Sequence, residues 1–267
     1  MKTQRFILLL AAGAAALSFA ACTRSDTARS ECSDPAAAAF ELLDKQVNPS
    51  EIEAAGVTVN AQELSRCAAN ALGAISGYQE RTIENGEVQS TSRVNVNPLS
   101  LDMSIAHPAA GSPEELIFLA GFSFAKIDGK WIELTKDNPD PAIASLLELR
   151  EGLQIQFNPE LRAAGTDASL EYQLVGADEI LGEPVIVLEA ELPTADGGSS
   201  ATSRYFLTKD YLILRSTLSS GDGDASGGEA GDAEAGSAGG MQQSIERVSE
   251  FTEIGVPQEI KNPMLAD

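Results

Sequence analysis

The apolar residues change period near residue 77, and that change decides most of what this chain can become. Before it, Leu64, Cys67, Ala68, Ala71, Leu72 and Ile75 recur at helical spacing and stop at Ser76-Gly77. After it the period is two. Residues 78–84 and 87–96 flank Asn85-Gly86, a pair that accepts the positive φ angles of a tight turn and so predicts a hairpin. Leu99, Leu101, Met103 and Ile105 alternate with polar residues, 115–126 is densely apolar around Gly121, and Asp128-Gly129 turns the chain into 130–134. Strand patterns continue at 169–175, 184–192, 203–207, 211–218 and 244–251. Strands joined by such tight turns pair antiparallel, because parallel neighbours need a crossover of a dozen residues or more.

Three helices interrupt the strands. Asp34-Pro35 reads as a helix start, with Ala36, Phe40, Leu43 and Val47 on one face. Asn60 and Glu63 have capping-box spacing, with Val59 and Leu64 at the staple positions. Asp140-Pro141 opens a helix over 140–152, where Ile143, Leu146, Leu147, Leu149 and Leu153 give a wide apolar face that must cover something. Helices and strands do not alternate, so the expected class is α+β, a long antiparallel meander with two helices before it and one within it. Residues 219–240 are almost all Gly, Ala, Ser, Asp and Glu and are expected to form a disordered acidic insertion. Asp222, Asp224, Ser226 and Gly227 imitate the opening of a calcium loop, but its twelfth position is Ala233.

The first 21 residues read as an export signal: Lys2 and Arg5, then Phe6-Ile7-Leu8-Leu9-Leu10 and an alanine-rich run. The chain turns polar at Thr23, too early for a spanning helix. Leu17-Ser18-Phe19-Ala20-Ala21-Cys22 resembles a lipobox, which makes Cys22 the candidate acylated anchor and 22–33 a tether to a single domain over 34–267; ordinary cleavage after Ala21 is the alternative. Cys32 and Cys67 remain, an even pair in an exported chain, for which a disulfide is expected over two buried free thiols.

Chemistry is sparse. Forty acidic residues against eighteen Lys and Arg give a net charge of −22, without a basic cluster, so nucleic acid is excluded as a partner. The only histidine, His107, stands beside Pro108 at a strand end, which leaves no triad, no histidine metal site and no catalytic assignment. No cofactor-binding motif occurs. The informative residues are apolar: Met103, Phe118, Phe122, Phe124, Trp131 and Ile132 fall in neighbouring strands just before the helix that carries Ile143, Leu146 and Leu147. They form either an ordinary core or the wall of a cavity for an acyl chain.

In order of elements the chain resembles the LolA-like carriers of lipoproteins, and within them the actinobacterial lipoproteins of the LppX and LprG type. The resemblance lies in Gly121-Phe122-Ser123-Phe124-Ala125-Lys126-Ile127-Asp128-Gly129-Lys130-Trp131, in Leu174-Val175-Gly176-Ala177-Asp178-Glu179-Ile180-Leu181-Gly182, and in the close Val256-Pro257-Gln258-Glu259-Ile260 with Lys261-Asn262-Pro263. It implies a half-open antiparallel barrel over helices whose hydrophobic cavity holds lipid tails, such as palmitate chains, and carries them between envelope layers. With Cys22 as its lipid anchor the chain is expected on the extracytoplasmic face of the cell membrane, with an envelope transporter as a candidate partner. A membrane-tethered sensor or scaffold of the same fold is the alternative.

Overall fold

The computed structural model describes residues 32–45, 49–137, 141–193, 200–220 and 245–265. Twelve strands among them form one antiparallel sheet. The first, β1 (Thr58–Asn60), is followed by a meander of β2 (Gly77–Glu84), β3 (Glu87–Val96), β4 (Leu99–Ile105), β5 (Glu115–Leu119), β6 (Phe122–Ile127) and β7 (Lys130–Glu133). A second meander comprises β8 (Glu171–Ile180), β9 (Glu183–Pro193), β10 (Ser200–Thr208), β11 (Ile213–Ser220) and β12 (Glu246–Thr252). Pairing of β12 with β2 joins the meanders in the order β1-β8-β9-β10-β11-β12-β2-β3-β4-β5-β6-β7, with β1 and β7 at the two open ends. The fold is therefore α+β, an open antiparallel half-barrel over helices, as expected.

Five helices are described: α1 (Ala37–Asp44), α2 (Pro49–Ala54), α3 (Ala61–Gly73), α4 (Pro141–Gln156) and α5 (Pro159–Ala164). Phe40 of α1, Ile52 of α2, and Leu64, Cys67 and Leu72 of α3 share one core with Tyr78, Leu101, Leu188 and Phe251 of the sheet. Burying each such side chain contributes about 1.5–3 kcal/mol, which is what holds the helices to this face. The opposite face is laced by directly opposed charges: Arg81 with Glu250, Arg93 with Asp102, Arg204 with Glu189 and Lys126 with Glu115. Exposed pairs of this kind add about 0.2–1 kcal/mol each and fix register more than stability.

Turn chemistry behaves as the sequence predicts. Asn85 and Gly86 take φ of 51° and 82°, and Asp128 and Gly129 take 49° and 74°. Asn60 caps α3, its Oδ1 accepting from the amides of Gln62 at 3.1 Å and Glu63 at 3.2 Å, with Val59 and Leu64 both buried beside it.

Elsewhere the structure corrects the expectation. Asp34 does not cap α1: the Tyr211 hydroxyl donates to the Asp34 carboxylate while accepting the Ala36 amide at 2.9 Å. Helix α4 passes through Gly152 to Gln156, and α5 begins anew behind Asn158, whose Oδ1 accepts from the amides of Glu160 and Leu161. Ser219 and Ser220 belong to β11, opposite Thr202 and Ala201, so the insertion cannot begin at 219. Val47, Asp140 and the rest of the acidic insertion from 221 to 240 lie outside the described residues, as do Cys22, the signal and the tether up to 31.

Candidate functional site

The helix-bearing face of the sheet has an apolar end and a polar centre. At the apolar end, Leu101 stands opposite Phe118 and Phe118 opposite Ser123, while Met103, Leu116, Ala125 and Ile132 make the next row. Met103 is 8% exposed and Phe118 3%, and Ile132 is half-buried against the same core. Helix α4 lies over this end. Arg150 ties it down, Nη1 donating to Ser123 Oγ at 3.0 Å and Nη2 to the Leu119 carbonyl at 3.1 Å. Leu146, Leu147, Leu149 and Leu153 all pack on the core, yet every one of them is only half-buried. The side chain of Ile143 falls outside the described residues.

The predicted cavity set is thus brought together only in part. Met103, Phe118, Ile132, Leu146 and Leu147 share the helix-bearing face; Phe122 and Phe124 do not. Phe124 pairs with Ile117 and Phe122 with Leu119 on the outer face, where Phe122 stacks on Phe124 at 6.3 Å and is 49% exposed. The pattern Phe-Ser-Phe-Ala invites placing the aromatics inward. Ser123 and Ala125 point there instead, and the small Ser123 leaves room for Arg150, whose Nη1 donates to its hydroxyl.

The polar centre was not predicted. Tyr205, Ser216, Ser249, Thr82 and Ser90 stand directly opposite one another across β10, β11, β12, β2 and β3, a row of five hydroxyls. Beside it, Glu80 lies opposite Phe251 and Ser92. Burial pushes the Glu80 carboxyl up to about 7, against a lowering hydrogen bond from Ser249. From α5, Arg162 faces Tyr205, Tyr78 and Tyr172. Desolvation lowers its proton affinity, and the three phenols partly restore it. Its Nη1 is buried with no hydrogen-bond partner among the described residues. Tyr172 packs on Tyr205 with ring centroids 5.0 Å apart and shares a 3.1 Å hydrogen bond with Ser203.

A carboxyl raised in the folded state binds its proton there over a pH range where the unfolded chain has lost it. Glu80 therefore costs nothing below about pH 4.5, and its penalty grows until about pH 7. Glu80→Gln is expected to match the parent near pH 4.5 and to exceed it by about 1–3 kcal/mol at pH 8, after discounting for partial exposure. Thermal melts of both proteins across that range check it; a stability difference that stays constant with pH would show that Glu80 ionises freely.

Two open hollows of about 650 and 620 Å³ are present. The first lies beside Leu43, Ile52 and Thr208, crossed by the Lys209–Asp44 ion pair at 2.5 Å. The second lies on the charged outer face around Arg81, Arg93 and Glu250. None of the predicted cavity residues lines either. Among the described residues no group of three His, Cys, Asp or Glu side chains is placed to hold a metal, and no helix is long and apolar enough to cross a membrane.

No protein-family model and no curated protein sequence matches the chain. Among solved structures it is similar to LprF from Mycobacterium bovis, at 13% identity over 76% of this chain and 96% of that one, with a TM-score of 0.42. A LolA superfamily protein from Nitrosomonas europaea matches at 11% identity over 78% and 98%, TM-score 0.24. An outer membrane lipoprotein-sorting protein domain from Vibrio parahaemolyticus matches at 8% identity over 80% and 95%, TM-score 0.25. The fold rests on this chain's own strand order: it has the open antiparallel sheet over helices that the LolA-like resemblance implies.

Proposed function

We propose that the chain binds the acyl chains of a lipid or glycolipid between α4 and the apolar end of the sheet and carries it across the cell envelope. In this reading an acylated Cys22 holds it to the membrane, and an envelope transporter loads it or receives its cargo. The observation that supports the reading is the half-burial of all four α4 leucines over a sheet face that is itself apolar. A helix with so wide a leucine face normally buries part of it completely. Here each leucine keeps apolar surface while packing on the core that holds Met103 and Phe118, and a hydrocarbon chain covering that surface gains about 0.8 kcal/mol per methylene buried. Arg150 fastens α4 to the sheet through side-chain bonds alone, so the helix can lift without breaking a strand pairing.

The full chain, extracted from membranes in mild detergent, should carry an amphiphile visible by native mass spectrometry, and Cys22→Ala should abolish its membrane association. Leu146→Gln should reduce occupancy severalfold while leaving the melting temperature within a few degrees of the parent. In a solid core the same change costs several kcal/mol. The reading fails if Leu146→Gln unfolds the domain while the folded fraction keeps its normal load. A chain that carries nothing in any preparation favours the alternative, a membrane-tethered sensor or scaffold, over the carrier.

A further inference from the structure

The polar centre of the helix-bearing face bears on what kind of amphiphile this is. We propose that the cargo is anionic, its phosphate or carboxylate head held by Arg162 and the hydroxyl row while its chains lie under α4. The inference rests on the acyl-binding reading and names the head that goes with the chains.

Three observations support it. The first is Arg162 itself, whose buried Nη1 lacks a partner and whose guanidinium forms no ion pair among the described residues. A buried donor left unsatisfied is costly, and a planar fork of N–H groups is matched by an oxyanion. The net charge of −22 works against an anionic cargo, so the attraction has to come from this one guanidinium at close range, where its desolvation strengthens a direct ion pair.

The second is the surface beside Arg162, whose charge acts on Tyr78, on Tyr172 and on Tyr205 at one end of the hydroxyl row. The hydroxyls of Tyr205, Ser216, Ser249, Thr82 and Ser90 occupy one row on five neighbouring strands, and Tyr172 and Ser203 adjoin it. Hydroxyls donate as well as accept, which suits an oxygen-rich head. The two nearby carboxylates do not oppose an anion. Glu84 is paired with Arg247 at 3.1 Å, and the half-buried Glu80, its carboxyl pushed up to about 7, is neutral and hydrogen-bond-donating below that pH.

The third is continuity. Ser90 stands opposite Ile105 and Ser92 opposite Met103, so the hydroxyl-lined strands pass directly into the apolar rows beneath α4. One face therefore presents, side by side, a cationic hydroxylated patch and an apolar patch, the complement of a head and its tails.

The test is a titration of the full chain, in mild non-ionic detergent, with dioleoyl phosphatidic acid, dioleoylglycerol and inorganic phosphate. Phosphatidic acid should bind at least about tenfold more tightly than dioleoylglycerol, the scale of a charge-assisted hydrogen bond. Inorganic phosphate alone should bind far more weakly than either lipid. Arg162→Gln should erase the preference while leaving dioleoylglycerol binding unchanged, and Arg162→Lys should keep part of it. Because Arg162→Gln removes an unsatisfied buried charge, its melting temperature should equal or exceed the parent's; a fall of many degrees would make Arg162 structural and overturn the proposal. Equal binding of the two lipids by the parent overturns it too, leaving the acyl-binding reading intact. Inorganic phosphate binding as tightly as phosphatidic acid would mean a free-anion site and also overturns it. Failure of both lipids to bind sinks this proposal together with the reading on which it rests.

Discussion

Reduction of the Cys32–Cys67 bridge is expected to lower the melting temperature by about 10 °C. The two residues are 35 apart in sequence with Cα atoms 5.4 Å apart, and the bridge fastens the entry to α1 onto the buried stripe of α3. Closing a loop of that length removes about 3–4 kcal/mol of chain entropy from the unfolded state. In a domain of this size each kcal/mol moves the midpoint by about 2–4 °C. The loss comes from the unfolded state, since in the folded one Tyr211, bonded to Asp34 and the Ala36 amide, and the buried Phe40 also hold the segment. Melts with and without reductant check it, with the Cys32→Ser and Cys67→Ser double variant as the form that no longer responds. An unchanged midpoint for a protein shown by mass to be fully reduced would mean that packing alone positions α1.

What the sequence made legible is local. Asn60 announces its helix because a cap acts over three residues, and Asn85-Gly86 and Asp128-Gly129 announce their turns because positive φ is a property of those residues. Asn158-Pro159 carries the same kind of signal as Asn60, so α5, the helix that bears Arg162, was open to the same reading and was missed. Asp34-Pro35 fails for the opposite reason: Tyr211, far along the chain, takes the Asp34 carboxylate and supplies the hydroxyl that the Ala36 amide uses. A tertiary partner displaced a local one.

The candidate site divides the same way. Alternation marks Leu101, Met103 and Ile105 as sharing a face, and the register of β3 with β4 and of β4 with β5 agrees. Midway along β2, β3 and β12 both faces are polar, with Arg81, Thr91 and Glu250 on one and Thr82, Ser90 and Ser249 on the other, so period two distinguishes nothing there. Five hydroxyls become a row only through four independent registers, and register is a property of pairs of strands that no single strand contains. Phe122 and Phe124 mislead because bulk was read as inwardness, whereas the space above β6 belongs to α4.

Gly77→Ala is expected to cost about 3 kcal/mol or more, through a contact the sequence disguised as a helix stop. Helix α3 already ends at Gly73, and Gly77 is the buried first residue of β2. A Cβ there would lie 2.6 Å from the Val94 carbonyl oxygen, 2.8 Å from that of Val256 and 3.0 Å from Asn95 Oδ1. Two of those three atoms are backbone and cannot rotate away, so the C-terminal segment or the β2–β3 pairing must move. The segment is held just there: the Gly255 amide donates to the Gly77 carbonyl at 2.8 Å, the Gln258 amide to Asn95 Oδ1 at 2.7 Å, and Asn95 Nδ2 to the Gln258 carbonyl at 2.9 Å. Faster amide hydrogen exchange across residues 254–258 should accompany the loss of stability. Gly73→Ala is the matched control, since its Cβ would meet only the Phe157 carbonyl at 3.5 Å and alanine is the better helix former by roughly 1 kcal/mol. That variant should melt at or above the parent. If Gly77→Ala melts with it, the C-terminal segment does not press on β2, and the crossing that makes glycine obligatory at this position is absent in solution.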